Sequence, residues 1–131
     1  MLKHITVFDT SIATDNLGDE IIMESVMAGV REMFPADFVL RIGTHDPLGP
    51  RGRELARLAD VSFVGGTNIL CANWFHYNQW KLSLTDLPRI GHPVLFGVGW
   101  QFYQRPTNWP TALILRNLLS KTHTHSVRDS Y

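Results

Sequence analysis

The chain has 131 residues, twelve Lys and Arg against twelve Asp and Glu, and a single cysteine, Cys71. That length suits one domain with a real core. The balanced charge gives no basic footprint for nucleic acid, and one cysteine rules out an internal disulfide framework and fits a reducing, cytoplasmic compartment. No signal peptide is visible, and no apolar run reaches the length of a membrane span.

In chain order, residues 4–8 read as a strand. They lead into Asp9-Thr-Ser-Ile-Ala-Thr-Asp-Asn16-Leu-Gly18-Asp19-Glu20, a polar corner that opens a helix over 19–34. Asn16 and Asp19 are good caps for such a helix, because their oxygens accept orphan N–H groups. Gly18 permits backbone angles that a Cβ opposes. The corner lacks the three glycines of a dinucleotide fingerprint and the G-K-[ST] of a phosphate loop. Two carboxylates at the helix start also repel a phosphate there, so a hydroxyl-rich ligand fits better than a polyanion.

The first helix should turn Ile22, Val26, Val30 and Met33 inward. Residues 38–42 form a second strand, 51–58 a short helix with Leu55 and Leu58 inward, and 61–64 a third strand running into Gly65-Gly66-Thr67-Asn68. The stretch 71–91 should contain a helix. Residues 94–98 form a fourth strand, 111–121 a helix, and 124–128 a fifth strand. Strands alternating with helices predict a Rossmann-like parallel α/β sheet with helices on both faces. Ligands then bind beyond the carboxyl ends of the strands, which gathers the loops at 9–19, 43–50, 65–76 and 99–110 on one side.

Gly65-Gly66 after the third strand and Gly97-x-Gly99 in the fourth each mark a close approach to the backbone, by a ligand or by an internal packing partner. Nine of the fourteen aromatics lie between residues 74 and 109. Among them Trp74, Phe75, Tyr77, Trp80, Trp100, Phe102, Tyr103 and Trp109 could line a sugar cleft, cover the core, or form a seam for self-association. His123-x-His125 lacks a third ligand of suitable spacing, and no metal or cofactor is expected. His45 and His76 fall on loops of the functional side, where an imidazole can act as acid or base. Cys71 reads as a small buried side chain.

Four motifs, taken together, resemble the polysaccharide pyruvyl transferase family: Asn16-Leu-Gly18-Asp19-Glu20, Asp60-Val-Ser-Phe-Val-Gly65-Gly66-Thr-Asn-Ile-Leu70, Phe96-Gly97-Val98-Gly99 and Ser126-Val127-Arg128-Asp129. The resemblance implies one half of a two-domain GT-B-type enzyme. Such enzymes transfer a pyruvyl group from phosphoenolpyruvate to two hydroxyls of a saccharide, forming a ketal in cell-surface or exopolysaccharide biosynthesis. Within the cleft at the carboxyl edge Asp19 is the catalytic candidate, placed to accept a proton or hold a sugar hydroxyl, with helix capping as its other reading. The substrate-binding candidates are Asn16, Gly18, Gly65, Gly66, Thr67, Asn68, Gly97, Gly99, Trp100 and Arg128. The sequence stops inside the last motif. The expectation is therefore a single domain over 1–131, the N-terminal half of a longer protein, inactive by itself for want of donor-binding cations. A sugar-binding half of a GT-B glycosyltransferase and a non-catalytic interaction module share the same pattern.

Overall fold

The computed structural model describes residues 1–101 and 106–128. Five strands, β1 (His4–Asp9), β2 (Phe38–Gly43), β3 (Val61–Gly65), β4 (Val94–Val98) and β5 (Ser126–Val127), form one sheet in the order β2-β1-β3-β4-β5. Every pairing is parallel. Three α-helices, α1 (Leu17–Met33), α2 (Pro50–Leu58) and α3 (Trp109–Leu118), flank it. The expected Rossmann-like α/β architecture is what the chain adopts.

Alternation along the strands feeds two cores. Ile5, Val7, Phe63 and Val94 pack with Met23, Val26, Met27 and Val30 of α1 on one face. Phe8, Ile42, Val64 and Leu95 pack on the other face with Ala56 of α2 and Leu118 of α3. Strand order reverses direction after β2. Right-handed crossovers then put α1 on one face and the later helices on the other.

Some expectations need correction. The stretch 71–91 holds no α-helix; its one helical piece is the 3-10 turn Leu87–Arg89. Its side chains are used individually instead. Trp74, Trp80 and Leu82 enter the core, and Trp80 meets Phe8 edge-on at 5.4 Å between ring centroids. The inward stripe of α1 is Met23, Val26, Met27 and Val30, while Met33 is exposed. The helix starts two residues before the predicted position, and in its last turn Val30 and the following Phe34, not Met33, face the sheet. Leu58 is likewise exposed at the end of α2, and β5 is confined to two residues.

Candidate functional site

Because all five strands are parallel, their carboxyl ends share one edge, and the loops at 10–16, 44–49, 66–68 and 99–101 leave from it. The crevice of such a sheet lies where the strand order reverses, here between β1 and β3.

Asp9 ends β1, fully buried. Its carboxylate accepts from the Ser11 backbone N–H at 2.7 Å and the Ser11 hydroxyl at 2.6 Å. It also accepts from Arg41 Nε at the end of β2. Arg41 Nη2 in turn donates to Ser11 Oγ at 3.0 Å. This closed triangle stiffens the loop that carries the chain to α1.

Asn16 is the N-cap of α1, and its side-chain oxygen accepts from Gly18 N at 3.0 Å. Asp19 does not cap. Its side chain turns inward, and the residue is 4% exposed. The Thr14 hydroxyl donates to Asp19 Oδ2 at 3.3 Å, and His45 Nε2 stands 3.9 Å from the same oxygen. His45 comes from the loop after β2, so this pair joins two strand ends.

Gly65 and Gly66 have a packing reason to be glycine. A Cβ on Gly65 would stand 2.7 Å from Val26 Cγ1 and 2.9 Å from Met23 Sδ. One on Gly66 would stand 2.7 Å from Ile22 Cγ2, and Gly66 has φ +72°. The pair lets α1 lie directly on β3. Beside it, the buried Thr10 hydroxyl finds no hydrogen-bond partner among the described residues. Gly97 differs: its φ is +69° with open space where a Cβ would go, so backbone angle rather than contact selects glycine there.

Beyond β3, Thr67 O accepts from Gly99 N at 3.0 Å, and Leu70 N donates to Gly99 O at 3.1 Å. The loops after β3 and β4 are thereby stitched together. Trp100 is partly buried against the core. Arg128 N donates to Val98 O at 3.0 Å, and its guanidinium reaches Asn68 Oδ1 at 2.5 Å.

An open groove of about 680 Å³ starts at this edge and runs between α1 and β2. Ser11, Glu20, Glu24, Arg31 and Arg41 give it polar walls, and Met23 and Met27 line it too. Sequence reasoning missed Glu24 and Arg31 as groove residues, because one helix face and one strand meet there only through the topology.

The aromatics divide. Trp74 and Trp80 are core, whereas Phe75, Tyr77 and Trp109 are exposed, Trp109 at 78%. Phe102, Tyr103 and Arg105 lie outside the described residues. His125 has a structural place: Leu95 N donates to its Nδ1 at 3.0 Å, and its Nε2 hydrogen-bonds the Ser120 carbonyl at 2.8 Å. Both ring nitrogens are used, so it cannot also serve a metal with His123. No group of three His, Cys, Asp or Glu side chains among the described residues is placed to hold a metal ion. Burial pushes the Cys71 thiol up to about 11, against lowering by backbone hydrogen bonds from Cys71 and Asn73. It is not a thiolate nucleophile near neutrality. Among the described residues no helix is long and apolar enough to cross a membrane.

A family model for polysaccharide pyruvyl transferase matches residues 16–131. No curated protein and no solved structure matches the chain. The family match begins at the α1 N-cap and takes in every strand end of the edge except that of β1. The chain belongs to the polysaccharide pyruvyl transferase family.

Proposed function

We propose that this family member holds a saccharide acceptor at the carboxyl edge of its sheet, for transfer of a pyruvyl group from phosphoenolpyruvate as a cyclic ketal. The family match carries this reading. The groove beside α1 supports it. Glu20, Glu24 and Arg31 offer donors and acceptors for neutral hydroxyls beside the Ser11–Arg41–Asp9 triangle, and the mixture of signs suits a sugar better than a polyanion.

Ketal formation needs two hydroxyls close enough to close one ring. Asp19 is the proposed group that holds one of them, and Asn16, Thr67, Asn68, Trp100 and Arg128 are the proposed further contacts. Gly18, Gly65, Gly66, Gly97 and Gly99 act there through the backbone paths they permit. The exposed Phe75, Tyr77 and Trp109 are a proposed seam for self-association or for a second domain.

A glycan array probed with the labelled chain tests the reading. Binding should fall on glycans that present a free 1,2- or 1,3-diol, and should vanish when those hydroxyls are methylated. Binding that ignores methylation, or none to any glycan, would sink it.

A further inference from the structure

Strand β2 is an edge of the sheet, and its outer side is open. Its residues Phe38–Gly43 pair with β1 in unbroken register. Phe38 N donates to Lys3 O and Thr44 N to Asp9 O. By the two-residue alternation, the even-numbered residues between them also turn their N–H and C=O groups to β1. Those of Val39, Arg41 and Gly43 point outward, and none of them has a hydrogen-bond partner among the described residues. The strand carries no proline, lysine or bulge, the usual devices against pairing with another chain. Phe38 is 56% exposed on it, and Leu40 is half-buried.

The charges beside this edge are ordered to match a copy of themselves. Glu20, Glu24 and Arg31 line the groove along α1, and none of the three forms an ion pair among the described residues. Along the helix the two carboxylates come first and Arg31 last, about 16 Å from Glu20. A two-fold axis through β2, perpendicular to the sheet, reverses the helix direction in a second copy. Arg31 of one copy then stands across the groove at the Glu20–Glu24 end of the other.

We propose that the chain forms a two-fold dimer by antiparallel pairing of β2 with β2 of a second copy, joining two five-stranded sheets into one. The main-chain groups of Val39 pair with those of Arg41 in the other copy, and Leu40 faces Leu40 across the axis. The next register would set Arg41 opposite Arg41, and directly opposed like charges disfavour it. In the proposed register the exposed Phe38 gains Ile42 of the other copy as a neighbour, an aromatic beside a β-branched side chain. Both α1 helices lie on the same side of the joined sheet, so each copy gives the other's groove a second wall. A foreign strand would fit the edge, but only a second copy matches the edge and the charge order together, and the pairing closes after two copies.

Sedimentation of the whole chain at tens of micromolar should give twice 14.9 kDa. Val39→Pro removes an outward N–H and leaves the β1 ladder intact, so it should give a monomer that circular dichroism shows to be folded. Should it not fold, Leu40→Lys puts a charge at the axis and should also give a monomer. Leu40→Cys should form an interchain disulfide on air oxidation, because Cα atoms at such an opposed pair lie about 4.5 Å apart, within disulfide reach. Phe75→Cys, on the exposed aromatic seam, should not. A monomeric wild-type chain, a dimer that survives both β2 variants, or a disulfide at Phe75→Cys with none at Leu40→Cys overturns the inference. Glycan binding bears on the saccharide reading alone, because the dimer does not depend on it.

Discussion

Arg128 and Asn68, from opposite flanks of β4, are joined by a 2.5 Å hydrogen bond from the guanidinium to the amide oxygen. The bond ties the end of β5 to the loop after β3. Because Arg128 is exposed, Arg128→Ala should cost only about 0.5–1 kcal/mol in urea unfolding. Its local effect should be larger: amide exchange at Val127 and Arg128 should quicken markedly while that of β1 stays the same. Equal exchange in both proteins would show that the bond does not hold β5.

Gly65→Ala should destabilise by about 1–3 kcal/mol, because the new methyl overpacks against Val26 and Met23. Gly66→Ala should cost more, since it adds a left-handed backbone angle to the clash with Ile22. Combining Gly65→Ala with Val26→Ala should recover part of the loss, as expected for side chains in contact. Chemical denaturation of these variants and of Val26→Ala alone checks this. Strict additivity in the double variant would mean that α1 does not press on Gly65.

The strands and the helices on both faces were legible because alternating apolar residues in short runs have few other readings, as in Ile5-Thr6-Val7-Phe8. The stretch 71–91 was not. Its aromatics at near-helical spacing serve as single anchors: Trp74 N donates to the Thr111 hydroxyl at 2.8 Å, and Trp80 lies against Phe8. Nothing local in the sequence separates an anchored loop from a helix. Gly65 and Gly66 were legible as a close approach, but not its partner, because Ile22, Met23 and Val26 reach them only through the crossover. The Asp19–His45 pair was hidden for the same reason; each residue alone looked like an ordinary cap or loop side chain.

Asp86 makes the stability of the fold depend on pH in the acid range. Burial by itself would raise its carboxyl, but hydrogen bonds from Arg53 and Ser83 outweigh that and hold it below the ordinary 3.8. A depressed folded value stabilises the fold fully above 3.8 and loses that stabilisation as pH falls through the lowered value. Asp86→Asn should therefore cost about 2 kcal/mol at neutral pH. It should cost progressively less below pH 4 (about the ordinary carboxylate range). Denaturation midpoints across an acid series test this; a penalty that grows on acidification would contradict it.

Binding of the proposed donor, phosphoenolpyruvate, by this chain should be weak. Phosphoenolpyruvate presents a phosphate and a carboxylate, and tight binding needs several converging cations. Among the described residues, Arg41 is engaged by Asp9, Arg53 by Asp86, Arg51 by Glu54 and Arg128 by Asn68. Isothermal titration with phosphoenolpyruvate should show no micromolar affinity. A micromolar Kd would place the donor site within these residues and overturn this prediction.

The location of the saccharide is the central claim, and backbone 15N–1H spectra recorded with an array-positive diol glycan test it most directly. The account predicts that perturbed amides cluster at residues 10–20, 44–46, 66–68 and 99–100, at Arg128, and at Glu24, Arg31 and Arg41 along the groove. The apolar groove lined by Leu87, Leu113 and Leu118 and the opposite end of the sheet near His92 and His123 should stay silent. Perturbations concentrated at either of those places, with the carboxyl edge unmoved, would contradict it.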